Sequence, residues 1–96
     1  MAFPKRIDAN QNEIVKALRN MGASVWITSA LGQGAPDFVV GLRSLNILVE
    51  LKDGKKRPSQ RKLTPSEERF HNEWKGRIEI ITSMEEAIAL VNGLGR

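Results

Sequence analysis

Two short, strongly apolar runs, Phe38 to Leu42 and Ile47 to Lys52, are separated only by Arg43-Ser44-Leu45-Asn46. Runs of that length, rich in branched and aromatic residues and so closely joined, read as an antiparallel β-hairpin. A two-stranded hairpin is marginal in water, so the rest of the chain must supply further strands and a cover for its apolar side. The flanking sequence has the parts. Asp8 is placed as an N-cap with Gln11 three residues on, and Ile7, Ile14, Leu18 and Met21 fall on one helical face. With Gly22 as a stop, a first helix is expected over residues 9–21. Ala23 to Thr28 reads as a strand, and Leu31-Gly32-Gln33-Gly34-Ala35-Pro36 as a connection.

Beyond the hairpin, Thr64-Pro65-Ser66-Glu67 combines an N-cap, a proline at the first helical position and an acid at the third. It predicts a second helix running to about Lys75 and ended by Gly76. Arg77 to Thr82 reads as another strand. Ser83-Met84-Glu85-Glu86 reads as a capping box for a third helix that buries Ala87, Ile88, Leu90 and Val91. The order is helix, three strands, helix, strand, helix. Its simplest packing is an α/β (α+β) fold, a mixed sheet flanked by helices. The 96 residues make one domain, 1–96, without repeats or low-complexity segments. Trp26 and Trp74 are expected in the core, and His71 packed on or beside its helix.

The polar residues that interrupt the hairpin carry the chemistry. Asp37 opens one strand, and Glu50 and Lys52 close the other. Residues two apart on a strand point the same way, so Glu50 and Lys52 share a face. If residues 43 and 46 pair across the turn, Asp37 faces Lys52 and Val39 faces Glu50, which puts all three charged groups on one side. Phe38, Val40, Val49 and Leu51 then occupy the other side. Burying unpaired carboxylates there costs several kcal/mol, roughly. One way out is structural: Lys52 pairs with Asp37 or Glu50. The other is functional: the two carboxylates and the main-chain carbonyl of Leu51 hold a hard divalent cation, which takes oxygen ligands. Such an ion supplies the charge that phosphodiester hydrolysis needs, and Lys52 would orient water or stabilise phosphoryl oxygens. Glu73-Trp74-Lys75 repeats the Glu-x-Lys spacing, but on a helix residues two apart point in different directions.

Charge adds a partner class. Fifteen Lys and Arg against eleven Asp and Glu give +4. Lys52, Lys55, Lys56, Arg57, Arg61 and Lys62 crowd one segment with only Asp53 opposing them. Such a stripe can displace counterions from a phosphate backbone, although a solvated loop would look the same. Cysteine is absent, which excludes disulfides, thiolate metal sites and cysteine nucleophiles. The start lacks a signal-peptide core and no run reaches membrane-spanning length, so a cytoplasmic location and no membrane partner are expected.

Gly34-Ala35-Pro36-Asp37-Phe38-Val39-Val40-Gly41, Val49-Glu50-Leu51-Lys52-Asp53-Gly54, Lys62-Leu63-Thr64-Pro65 and Phe70-His71 before Trp74 together resemble the PD-(D/E)xK nuclease superfamily. More narrowly, the chain is similar to stand-alone virus-type replication-repair nuclease (VRR-NUC) domains of phages and bacteria, over nearly its whole length. The resemblance implies a restriction-endonuclease-like αβββαβ core with a four-stranded sheet and an added C-terminal helix. It implies Asp37 and Glu50 as metal ligands and Lys52 as catalytic lysine, with Mg²⁺ as cofactor, Mn²⁺ as a substitute and no small-molecule cofactor. A first-helix glutamate often completes such sites, and Glu13 is the candidate. Lys55, Lys56, Arg57, Arg61 and Lys62 are the expected DNA contacts. The implied activity is a metal-dependent endodeoxyribonuclease selective for branched DNA such as Holliday junctions, acting as a homodimer in a bacterial or phage-infected cell. Alternatives are a nicking or flap nuclease, or a non-catalytic nucleic-acid-binding module. One departure stands out: where the family often has glutamine at the start of the second helix, this chain has Glu67 and Glu68, with Gln60 a weak substitute. The glycines at 32–34 are either plain loop or a place for DNA to approach closely.

Overall fold

The computed structural model describes residues 9–94. Its elements follow the expected order: α1 (Ala9–Asn20), β1 (Ser24–Ile27), β2 (Phe38–Leu42), β3 (Leu45–Leu51), α2 (Pro65–Glu73), β4 (Ile78–Ile81) and α3 (Met84–Gly93). Short 3₁₀ turns occupy Ser29–Leu31 and Pro58–Gln60. The sheet runs β1-β2-β3-β4, antiparallel across the first two pairs and parallel between β3 and β4. The parallel pair forces a crossover, and α2 lies within it.

One side of the sheet is the core. Phe38 and Val40 of β2, Ile47 and Val49 of β3 and Ile81 of β4 are buried there against Ile14, Val15 and Leu18 of α1 and Ala87 and Val91 of α3. Helix α1 ends in a Schellman motif: Ala23 N–H donates to Leu18 O at 3.1 Å and Gly22 N–H to Arg19 O at 3.0 Å. Gly22, at φ 94°, supplies the left-handed residue this needs. Because the helix stops at Asn20, Met21 falls off the predicted apolar stripe and is exposed, while Gln11 joins Ile14 and Leu18 on the buried face. The predicted cap Asp8 and the apolar Ile7 lie outside the described residues.

The hairpin register differs from the expectation. Leu42 pairs with Leu45 and Phe38 with Val49, so the turn is Arg43-Ser44 rather than Ser44-Leu45. Both turn residues have positive φ, 52° and 65°, the type I′ geometry that matches strand twist. The expected pairs Asp37–Lys52 and Val39–Glu50 give way to Val39–Leu48 and Phe38–Val49, where the ladder ends, and Asp37 N–H also reaches Val49 O. The slip is two residues, so every side chain keeps its face. Asp37, Glu50 and Lys52 still share a side.

Helix α2 has the predicted capping box, with Thr64 and Glu67 as reciprocal partners. The cap of α3 is only half as predicted. Ser83 accepts from Glu86 N–H at 3.1 Å, but the Glu86 carboxylate takes the N–H and hydroxyl of Thr82. Those bonds, the hydroxyl's first, hold the Glu86 pKa below its usual value. Neither tryptophan is in the core: Trp26 is 66% exposed and Trp74 43%, the latter stacked on Phe70 with ring centroids 5.6 Å apart.

Candidate active site

Asp37 is fixed where the hairpin opens. Its N–H donates to Val49 O at 2.9 Å, and its carbonyl accepts from Thr28 N–H at 2.9 Å. The Thr28 hydroxyl donates to Pro36 O at 2.7 Å, which pins the residue before it. The Asp37 carboxylate reaches across to β3, where Oδ2 accepts from Leu51 N–H at 2.7 Å. Asp37 is 5% exposed and Glu50 1%. Two acids this deep at the end of an apolar sheet are a costly arrangement for a purely structural strand end.

Lys52 has a partner that the sequence reading did not give it. Its Nζ donates to Glu67 Oε1 at 2.7 Å, with both side chains largely buried. The same Oε1 accepts from Thr64 N–H at 2.8 Å, while Glu67 N–H donates to Thr64 Oγ1 at 3.2 Å. Glu67 therefore caps α2 and holds the lysine with one carboxylate. Its place at the third helical position was legible, but its contact with Lys52 depends on how the crossover packs. Gly34 contributes to that packing. A Cβ there would lie 2.2 Å from Ser66 O, so only glycine lets the loop before Asp37 seat against the first turn of α2. Its role in the structure is thus close packing of chain on chain.

Gln11, Asp37, Glu50, Leu51, Lys52 and Glu67 line one cleft of about 190 Å³, with Lys56, Gln60 and Arg61 at its basic side. Lys55 lines an adjoining hollow, and Arg57 and Lys62 are exposed on the same segment. Glu13 does not enter the cleft. It is exposed on α1 and lines the adjoining hollow with Asp53 and Glu85. Gln11 holds the α1 position at the cleft, 3% exposed, with an Nε2 that has no hydrogen-bond partner. Glu13 lies two residues away, on a different side of the helix.

Among the described residues, no three His, Cys, Asp or Glu side chains gather as a metal-binding group. The oxygen donors at hand are the buried carboxylates of Asp37 and Glu50, the carboxylate of Asp53 at the cleft's edge and the main chain, with the Glu67 carboxylate engaged by Lys52. This all-oxygen set fits a hard cation that keeps several of its waters. His71, one turn along α2 from Glu67, is outside the cleft lining. Burial lowers its pKa, with Lys52 adding to that effect and Glu67 opposing it.

No known family profile matches the chain, and no curated protein does. A solved structure described as a VRR_NUC domain superposes on 88% of this chain and 91% of its own, with a TM-score of 0.65 and 24% sequence identity. The mixed four-stranded sheet, its flanking helices and that superposition together give this chain the fold of a VRR_NUC domain.

Proposed function

We propose that this chain is a divalent-metal-dependent endodeoxyribonuclease that hydrolyses phosphodiester bonds in branched DNA, four-way Holliday junctions above all. The observation that carries the reading is the meeting of Asp37, Glu50 and Lys52 in one cleft beside Lys56 and Arg61. Similarity in fold to a VRR_NUC domain, a name that denotes a nuclease, supports the same chemistry.

In this reading Asp37, Glu50 and the Leu51 carbonyl would hold Mg²⁺, or Mn²⁺ in its place. When bound, such a cation would supply positive charge to the phosphoryl group and lower the pKa of water. Lys52, steadied by Glu67, keeps its ammonium beside the reacting phosphate, where it orients the attacking water or stabilises phosphoryl oxygens. Lys56 and Arg61, with Lys55, Arg57 and Lys62 along the same segment, bind flanking phosphates. Among the described residues no separate element is set apart for reading base edges, which favours recognition of DNA shape over sequence. Symmetric cutting of a junction calls for two sites, and a two-fold homodimer would supply them. Among the described residues no helix is long and apolar enough to cross a membrane. The site of action is wherever that DNA lies, the cytoplasm of a bacterial or phage-infected cell.

The test is a cleavage panel of four-way junctions, flaps, splayed arms and linear duplex, with Mg²⁺, with Mn²⁺ and with chelator. Four-way junctions should be cut, and only with metal. Asp37→Asn and Lys52→Ala should each lose cleavage by at least about 100-fold while still binding DNA. Preference for flaps or nicks would change the substrate assignment, and a protein that cuts no DNA of any shape with either metal is not this enzyme.

A further inference from the structure

The first turn of α2 does more than hold Lys52. Thr64 Oγ1 takes the Glu67 N–H at 3.2 Å, and the Thr64 carbonyl takes that of Glu68 at 2.8 Å. Pro65 has no N–H, so the cap leaves that of Ser66 unserved, one of the amides no helical carbonyl reaches. Thr64, Ser66 and Glu67 line a hollow of about 200 Å³ together with Gly32, Gly34 and Ala35 of the loop before Asp37. The most buried residue of that lining is Ser29, 3% exposed, and its Oγ has no hydrogen-bond partner. An alanine would fill that position without stranding a hydroxyl. The Ser29 hydroxyl is a donor in want of an acceptor, as is the Ser66 N–H. Glu67, the acid of the lining, already gives Oε1 to Lys52 and to the Thr64 N–H. A helix N-terminus favours an acceptor with negative charge.

We propose that this hollow seats a phosphate of the DNA strand, the neighbour of the one being cut, with the Ser29 hydroxyl and the Ser66 N–H as its donors. The proposal rests on the nuclease reading of the cleft. Glu67 lines both the cleft and the hollow, so a strand whose reacting phosphate lies at Asp37 and Lys52 has its next phosphate at the α2 cap. A phosphodiester carries negative charge and only acceptor oxygens, which is what donors at a helix N-terminus select. The basic segment from Lys55 to Lys62 attracts the backbone by charge. Fixed donors in the hollow add register, setting which phosphate reaches Lys52.

The test scans a four-way junction with single methylphosphonate linkages near the branch, each removing one phosphate charge. Fluorescence anisotropy in chelator reads binding by the wild type and Ser29→Ala, while circular dichroism and thermal melting follow the fold. Ser29→Ala should melt at or above the wild-type temperature, and should bind the unmodified junction about three- to tenfold more weakly. At one linkage beside the cut, the methylphosphonate should weaken the wild type about three- to tenfold and Ser29→Ala no further, because both changes remove the same contact. Wild-type affinity in Ser29→Ala overturns the proposal, as does a loss that simply adds to that of every linkage. A marked fall in melting temperature also overturns it, since the hydroxyl would then have a structural partner. Cleavage of the unmodified junction with Mg²⁺ separates this from the reading beneath it. If the wild type cuts but no linkage beside the cut couples to Ser29, only the phosphate seat fails. If one linkage couples and nothing is cut, the seat stands and the nuclease reading fails. A wild type that binds no junction ends both.

Discussion

At the scale of single residues, Glu67 joins two functions that usually fall to different side chains. One oxygen accepts from the Thr64 N–H that opens α2 and from the Lys52 ammonium. The position of the lysine is therefore tied to the integrity of a helix cap. Glu67→Ala removes both bonds and should destabilise the protein by about 1–3 kcal/mol, the cost of a lost cap and a stranded, partly buried donor. Glu67→Gln keeps an acceptor of the same shape, which serves a capping box equally well, but withdraws the charge facing Lys52. Thermal melting of Glu67→Gln should stay within a few degrees of the wild type, while its junction cleavage should fall about tenfold through kcat rather than KM. A fall confined to KM, or no fall, would mean that the pair only fastens α2. Residue identity made Asp37, Glu50 and Lys52 legible in the sequence because charges stand out in apolar strands. Glu67 was harder to read. It has an adequate local explanation, as a capping residue, and its bond to Lys52 arises only when distant chain segments meet.

At the scale of elements, the sequence predicted the β2–β3 hairpin correctly but placed its turn one residue late, which slips the pairing by two. The alternation of apolar and charged residues determines which face a residue takes, and that survives a slip of two. The register depends on the turn, and here the turn carries no sequence signal. Arg43 and Ser44 both sit at positive φ, where glycine, asparagine or aspartate is favoured. The guanidinium of Arg43 donates to Leu94 O at 2.5 Å, a contact with the far end of the chain that compensates for the conformation. Ser44 has no such tie among the side-chain bonds of the described residues. Ser44→Gly should therefore relieve the left-handed strain and stabilise the fold by about 0.5–1 kcal/mol, measured by denaturant midpoint at unchanged m-value. A destabilisation of that size would show that flexibility gained by the unfolded chain outweighs the strain relieved.

At the scale of the whole molecule, the two faces of the sheet are unequal in a way that bears on assembly. One is sealed by α1 and α3. Across the other, Trp26, Val39, Leu48 and Ile78 stand in register on all four strands, an unbroken apolar row. Trp26 is 66% exposed at one end of this face, and Ile80, on β4 two residues beyond Ile78, is 45% exposed. This is also the face on which Asp37, Glu50 and Lys52 lie at one end, so a cover over the apolar row would sit beside the cleft without filling it. Val39, Leu48 and Ile78 are half-buried between Trp26 and Ile80, and in a two-fold pair the same row would serve both partners. The homodimer proposed for symmetric junction cutting therefore has a surface to form on. Trp26→Arg adds a charge at an exposed position, where it costs little in folding but opposes pairing through that face. Light scattering should give a dimer mass for the wild type at tens of micromolar, roughly, and a monomer mass for Trp26→Arg with an unchanged circular dichroism spectrum. The variant should keep metal-dependent nicking of junctions but lose paired cuts within one binding event, because each monomer holds one cleft. A wild type that is monomeric at that concentration, yet makes paired cuts, would remove the dimer from the mechanism and leave the apolar row to another partner.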